Sequence, residues 1–413
     1  SYGNYDAIRS QTTVNLPLSS NFFVGAAFSL SRRDGWLKNI GVGPDFSFLN
    51  SKSGRIDVRW LPLDGVTVDY SYDLARTRYT GDYFHLTVPA GPDALVPGLP
   101  AQPHRLKEAS LLEPYRPGSD KAFGHTLTVA VETPLGELKS ITAYRRTRAN
   151  AYNDFSANPF ATIFLNRSFQ VRQHQFSQEL QLIGANDSNS LSYVTGVYYF
   201  RERAHEIATD QFFTFPLPRD ILARNRSAAV YGQLTWRPGG DAPWSLTGGL
   251  RYTRDRRSGD NHILPPASRT DRKLTASFTA DYRLGENAML YAKVVQGYKA
   301  GGFNMRQAAF DQSFAPEKLI SYEAGLKSEL FGRRMRFNLA GFYMDYKDIQ
   351  LDIVVPDQPD PTLTRTTNAG KARIVGIETD IQLLVADGLR LSAGYGLTDN
   401  KIQRVVGDDA SLY

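Results

Sequence analysis

Lys273-Leu274-Thr275-Ala276-Ser277-Phe278-Thr279-Ala280-Asp281-Tyr282 alternates apolar and polar residues without a break. In an extended strand successive side chains point to opposite faces. Leu274, Ala276, Phe278, Ala280 and Tyr282 therefore share one face, and Lys273, Thr275, Ser277, Thr279 and Asp281 the other. The same division recurs along the chain. Val66, Val68, Tyr70, Tyr72 and Leu74 alternate with Thr67, Asp69, Ser71 and Asp73; Leu246, Leu250 and Tyr252 alternate with Thr247, Arg251 and Thr253; Leu389, Leu391, Ala393, Tyr395 and Leu397 do so near the end. Soluble strands average about 5–6 residues, whereas runs of about ten fit a tilted strand crossing a bilayer.

The breaks between these runs alternate between short and long. Short ones are rich in turn formers: 16–20, 61–65, 133–137, 184–188, 237–241, 285–287, 331–333 and 386–388. Long ones fall near 34–51, 80–121, 154–170, 207–222, 258–270, 299–316 and 349–370. Short turns at one end and long loops at the other describe an outer-membrane barrel, with turns periplasmic and loops extracellular. The breaks bound about 16 strands, an even number as a single-chain bacterial barrel requires. The fold expected is all-β, a transmembrane antiparallel up-and-down barrel.

Composition agrees with this without proving it. No stretch of the 413 residues approaches the roughly 20 consecutive apolar residues of a membrane-spanning helix. Aromatic residues reach 12%, mostly Tyr and Phe, and cysteine is absent. A barrel folding in an oxidising periplasm fits, as does a cytosolic protein. Ser1 to Asn15 has no apolar core, as in a mature or trimmed chain or a cytoplasmic one. The net charge of +6 is spread along the chain, with no basic run of the kind that binds nucleic acid.

Several segments resemble one family, the TonB-dependent outer-membrane receptors. Leu290 to Asn304 is similar to its tyrosine strand ending in G-[FY]-[KR]-x-G-G-[FY]-N, here Gly297 to Asn304. Pro316-Glu317-Lys318-Leu319-Ile320-Ser321-Tyr322-Glu323-Ala324-Gly325-Leu326-Lys327-Ser328 resembles P-E-x-[LV]-x-[SN]-Y-E-x-G-[LW]-K-[ST]. Phe342 to Gln350, then Asn368-Ala369-Gly370-Lys371-Ala372 with Gly376-Ile377-Glu378, follow in the family's order. Val14 to Leu18 and Arg32 to Trp36 fit its early part. The resemblance implies a Gram-negative outer-membrane location and a plugged barrel of about 22 strands. It also implies import of a scarce ligand, a ferric siderophore or similar small molecule, with energy from the TonB complex. Residues 1–413 are then a partial barrel, with the plug, the first strand, the last strands and the TonB-contacting N-terminal region outside this sequence. The expected surroundings are outer-membrane lipid and lipopolysaccharide, the expected state a monomer, and no cofactor or nucleic acid is implied. A passive porin of about 16 strands and a barrel enzyme or adhesin stay open as alternatives.

Enzymatic signatures are absent: no G-x-S-x-G elbow, phosphate-binding loop or dinucleotide fingerprint occurs. The six histidines (His85, His104, His125, His174, His205 and His262) lack metal-ligand spacing, and all but His125 and His174 lie in or beside expected loops. Two sets of candidate residues remain. The lumen or plug-facing set is Arg55, Asp57, Arg59, Arg251, Lys273, Asp281, Glu323, Lys327, Glu378 and Asp380. Those charges line a ligand route, or simply solvate the interior and pair with a plug or one another. The ligand-contact set is Phe155, Phe160, Phe212, Phe213, Phe215, Phe303, Asn304 and Phe310, because clustered loop aromatics build pockets. Segment 80–121, with seven prolines, is expected to form an irregular lid over the mouth. Gly301-Gly302 is expected to supply backbone angles closed to other residues where a strand leaves the sheet.

Overall fold

The computed structural model describes residues 1–405 except 90, 93–97, 99–100, 103, 112, 156–164, 213–214, 307–312 and 355–363. Sixteen long strands follow one another: β1 (Ala7–Pro17), β2 (Phe22–Arg33), β3 (Leu49–Leu63), β4 (Val66–Tyr79), β5 (Gly118–Thr133), β6 (Gly136–Asp154), β7 (Leu165–Ala185) and β8 (Leu191–Phe212), then β9 (Phe215–Trp236), β10 (Trp244–Asp260), β11 (Ala267–Arg283), β12 (Ala288–Lys299), β13 (Glu317–Leu330), β14 (Met335–Lys347), β15 (Gly370–Ala386) and β16 (Leu389–Val405). Each pairs antiparallel with the next in one continuous sheet. Pieces of two to five residues lie in the connections.

Every turn-forming break read from the sequence joins two strands at one end of the sheet. Two of the tightest are Asp64-Gly65 and Asp387-Gly388, where glycine carries φ of 74° and 82°. Those angles suit a hairpin turn that follows the strand twist and exclude most side chains. At the other end one expectation fails. Residues 207–222 do not form a long loop: β8 and β9 run on to pair Phe212 with Phe215. With 22 residues each, these strands are about twice the length a bilayer crossing needs, so their upper halves stand outside the membrane.

Register assigns the faces. Leu250 opposes Ala276, Phe278 opposes Val294, Val294 opposes Tyr322, and Tyr322 opposes Tyr343. Tyr252, Phe278 and Leu274 on this side are 44%, 50% and 57% exposed, which is tolerable only against lipid. One lipid-side patch breaks the alternation. Thr142, Gln178 and Ser140 lie in adjacent rows, and they satisfy each other: Thr142 Oγ1 donates to Gln178 Oε1 at 2.5 Å, and Gln178 Nε2 donates to Ser140 Oγ at 2.9 Å. Polar atoms facing hydrocarbon need such internal partners.

A wall one strand thick has no interior, so the best-buried apolar cluster lies in the loops. Leu37, Phe46, Tyr83, Ala109 and Tyr115 form it, with Trp36, Leu106, Leu111 and Tyr152 packed around them. Phe46 is fully buried, with ring centroids 5.2 Å from Tyr83 and 4.8 Å from Tyr115. Lys38–Asn39 pairs in parallel with Glu108–Ala109, stitching segments 34–48 and 80–117 together. The expected irregular lid thus has a packed base. Burial pushes the Tyr152 phenol up to about 12, with Asp154 adding to the effect.

Candidate functional site

The site is the polar face of the sheet and its loop-side mouth. All ten charges of the lumen-facing set fall on the face opposite the lipid side. Arg55 opposes Asp73, Arg59 opposes Asp69, and Asp73 leads through Gly124 and Arg145 to Gln175. Thr253 opposes Lys273, Thr275 opposes Arg251, and Asn338 joins Lys327 to Asp380. Much of this face is already paired. Arg59 grips Asp69 with two bonds of 2.7 and 3.0 Å. Arg55 reaches Asp57 at 2.7 Å, and Arg145 reaches Asp73 at 2.7 Å. Arg251 lies over the rings of Tyr198 and Tyr231, at 5.6 and 5.4 Å. Glu323 takes Lys293 at 3.0 Å and the Tyr291 hydroxyl at 2.7 Å, with Lys327 over the Tyr291 ring. Ser245 donates to Asp281 at 3.4 Å.

Above the membrane the same face carries a cluster that the sequence reading passed over. Asp210 on β8 is fully buried. Arg167 holds it with Nε to Oδ1 at 2.7 Å and Nη2 to Oδ2 at 3.1 Å. Arg219 on β9 holds the second oxygen and also approaches Glu206 at 3.6 Å. Arg306, from the β12–β13 loop, reaches Glu206 at 3.2 Å. Burial alone would raise the Asp210 pKa, but the two guanidiniums outweigh it and hold the carboxyl below the usual range. The signal available in the sequence was the spacing of Glu206 and Asp210 on one face, masked because the apolar residues Ile207 and Ala208 fall on opposite faces and break the alternation. On the outer side of the same hairpin, Asp220 takes His205 at 2.6 Å, and its carbonyl meets His262 Nδ1 at 3.1 Å.

The ligand-contact set is dispersed. Phe155 packs on Phe84 with centroids 4.9 Å apart. Phe215 is exposed and opposes Phe212 across the β8–β9 tip. Phe160, Phe213 and Phe310 lie outside the described residues. Phe303 sits in a short strand pairing Gly302 with Phe314. Asn304 is engaged elsewhere: its Nδ2 donates to Thr366 O at 2.9 Å, and its Oδ1 accepts from Thr366 N at 2.7 Å.

That clamp belongs to a hub where several motif ends meet. Gln350 donates its side-chain amide to Ala300 O at 3.2 Å and Ala315 O at 3.0 Å, and its backbone N–H to Glu317 at 2.7 Å. Asn368 donates to Ala315 O and Asp348 O, and accepts from Ala315 N at 2.6 Å. Arg269 pairs with Asp271 and donates to Phe314 O at 2.7 Å. Gly301 and Gly302 sit inside this hub, and neither has a positive φ. Their reason is space: a Cβ on Gly301 would fall 2.3 Å from Phe314 O and 2.6 Å from Arg269 Cζ. Gly301→Val is expected to cost about 1–3 kcal/mol of hub stability through overpacking. Faster amide exchange in 313–317 and 348–352 is the readout; unchanged exchange would reject the crowding argument.

Residues 1–412 match the family model described as TonB dependent receptor-like, beta-barrel. The pesticin receptor of Yersinia pestis is 27% identical over 253 residues, covering 59% of this chain and 36% of that protein. The metal-pseudopaline receptor CntO of Pseudomonas aeruginosa is 28% identical over 139 residues, covering 33% and 18%. Among solved structures, the ferric yersiniabactin uptake receptor FyuA from Yersinia pestis matches with a TM-score of 0.78 and 21% identity, covering 96% of this chain and 60% of that one. The siderophore receptor PiuA from Acinetobacter baumannii matches with a TM-score of 0.73 and 14% identity, covering 98% and 63%. This chain therefore spans less than two thirds of these relatives. With the fold and a match over nearly its whole length in agreement, the chain belongs to the TonB-dependent receptor β-barrel family of the Gram-negative outer membrane.

Proposed function

We propose that this chain is the wall and outer mouth of a receptor that captures a scarce metal chelate, of the ferric-siderophore kind, and imports it with TonB energy. The observation that carries the proposal is the polar face itself, continuous from the paired charges at membrane depth to the Asp210 cluster at the mouth. Relatives named for ferric yersiniabactin, siderophore and metal-pseudopaline uptake support the ligand class. On this reading the ten lumen-face charges keep the passage solvated, and ligand contacts come from the mouth, where Arg167, Arg219 and Arg306 suit an anionic chelate. We also read the chain as part of a longer monomeric receptor of about 22 strands, whose plug and N-terminal region meet TonB. The chain's share of its solved relatives, 60% of FyuA, fits that reading.

The test is uptake of radiolabelled ferric siderophores by cells carrying the full-length gene or its deletion. Uptake should require the gene and stop when a protonophore collapses the proton gradient. Gene-dependent uptake indifferent to the protonophore, together with steady conductance in planar bilayers, would instead make the protein a porin.

A further inference from the structure

The arginines at the mouth hold their two carboxylates unequally. Asp210, Ala208 and Glu206 share the lumen face of β8, and Arg219 of β9 opposes Ala208, midway between the two acids. Asp210 is gripped at both oxygens by Arg167 and again by Arg219. Glu206 has looser partners. A single nitrogen of Arg306, Nη2, donates to its two oxygens at 3.4 and 3.2 Å. Arg219 Nη2 stays 3.6 Å away, an ion pair too long for a hydrogen bond. Charge-assisted bonds between guanidinium and carboxylate ordinarily measure about 2.7–2.9 Å and come in parallel pairs. Deeper on the same face, Arg59 and Asp69 come close to that form, at 2.7 and 3.0 Å.

Arg219 itself has donors to spare. Its side chain is only 13% exposed, yet Nε and Nη2 have no hydrogen-bond partner among the described residues. Nη1 alone is used, on Asp210. Buried donors left unpaired cost free energy, so each one asks for an acceptor. Arg306, half exposed, brings further N–H groups from a separate element. Two guanidiniums therefore converge on one weakly held carboxylate. An acceptor able to take both in bidentate form would satisfy them better than Glu206 does.

We propose that Glu206 is a replaceable counter-ion: a carboxylate of the captured ligand takes its place on Arg219 and Arg306, and Glu206 thereby sets the mouth's preference for carboxylate-bearing ligands. Until that exchange Glu206 bridges two like charges that would otherwise repel. Asp210, fully buried, is not exchanged and keeps Arg219 aimed. The proposal rests on the receptor reading above and deepens it, from metal chelates in general to chelates that present carboxylates. It also gives the loss of Glu206 a distinctive sign. Glutamine keeps the volume and removes the competing charge, so anion binding strengthens, whereas losing a residue that merely positions the arginines weakens it.

The test uses full-length protein purified in detergent, with tricarballylate, an iron-free tricarboxylate, as the probe and its uncharged trimethyl ester as the control. Amide exchange over 203–212 and 215–222 reads binding at the site. Tricarballylate should slow exchange there in the wild type, and the ester should not. Glu206→Gln should bind tricarballylate about tenfold more tightly, the scale of one like charge removed from beside an anion. Arg306→Gln should bind it about tenfold more weakly, and combining the two substitutions should cancel most of the gain. Heat-modifiable migration, unchanged in every variant, shows that the wall is intact. Equal slowing by acid and ester, or slowing by neither, overturns the proposal. So does weaker tricarballylate binding by a correctly folded Glu206→Gln, which would make Glu206 a positioning residue. Those outcomes leave the receptor reading standing. That reading falls separately, and takes this proposal with it, if ferric-siderophore uptake is the same with and without the gene.

Discussion

Phe46→Ala is expected to dissolve the loop cap while leaving the barrel standing. The ring is fully buried between Tyr83 and Tyr115, in the largest buried apolar cluster of the described residues. Removing a buried phenylalanine costs about 3–5 kcal/mol when the site cannot collapse. Here the surrounding backbone is pinned: Phe46 N donates to Leu37 O at 3.0 Å, and Thr80 Oγ1 donates to Asp45 O at 2.7 Å. The wall has its own source of stability, the interstrand ladder from β1 to β16, which the substitution does not reach. Limited proteolysis should therefore cut within 80–117 in the variant and not in the wild type, with heat-modifiable migration unchanged. Equal resistance in both proteins would show that the cluster does not hold the cap.

Asp210→Ala should have a comparable effect on the other side of the mouth. Two guanidiniums lose the carboxylate that neutralises them, and breaking a buried ion pair from one side costs about 3–5 kcal/mol. Asp210→Asn keeps the volume and removes the charge, separating packing from electrostatics. The pH dependence follows from the depressed pKa of the folded state. A carboxyl held below its unfolded value contributes stability above that value, near 3.9. The contribution is lost as the pH falls through the lower, folded value. Amide protection over 203–212 and 215–222, taken relative to the intrinsic exchange rate at each pH, should thus be high and flat from about pH 8 to about pH 5, and fall only in stronger acid. Fast exchange at neutral pH in the wild type would mean that the cluster fastens nothing. In Asp210→Asn the exchange should be fast throughout, with weaker ligand capture.

The wall was legible in the sequence because lipid imposes a strict rule. Within the bilayer, alternate residues must be apolar, so Leu274, Ala276 and Phe278 announce their face. Turn residues such as Asp64-Gly65 announce the short ends. Above the membrane the rule lapses, since both faces meet water or other loops. Strands β8 and β9 continue there with Glu206, Asp210 and Arg219, whose alternation carries no apolar signal. The hairpin therefore reads as loop, and the Asp210 cluster goes unseen. The motif residues were legible as a pattern but not as a mechanism. Asn304, Gln350 and Asn368 fasten loops through carbonyl and amide bonds, and Gly301 yields space to Phe314. Those roles depend on partners between 13 and 62 positions away, beyond any local reading.

The cap built from 34–48 and 80–117 has an evolutionary consequence. Its apolar cluster joins two loops that are separated in the chain but share one packing problem, so the two segments must change together. An insertion in one that displaces Leu37 or Phe46 exposes Tyr83 and Tyr115 in the other. The hub at Gly301, Gln350 and Asn368 binds a different set of loops through a separate set of bonds. The mouth is thus divided into two heritable blocks, each free to diverge without disturbing its neighbour, and exchange of the cap as a pair of segments is the transplant most compatible with an unchanged wall.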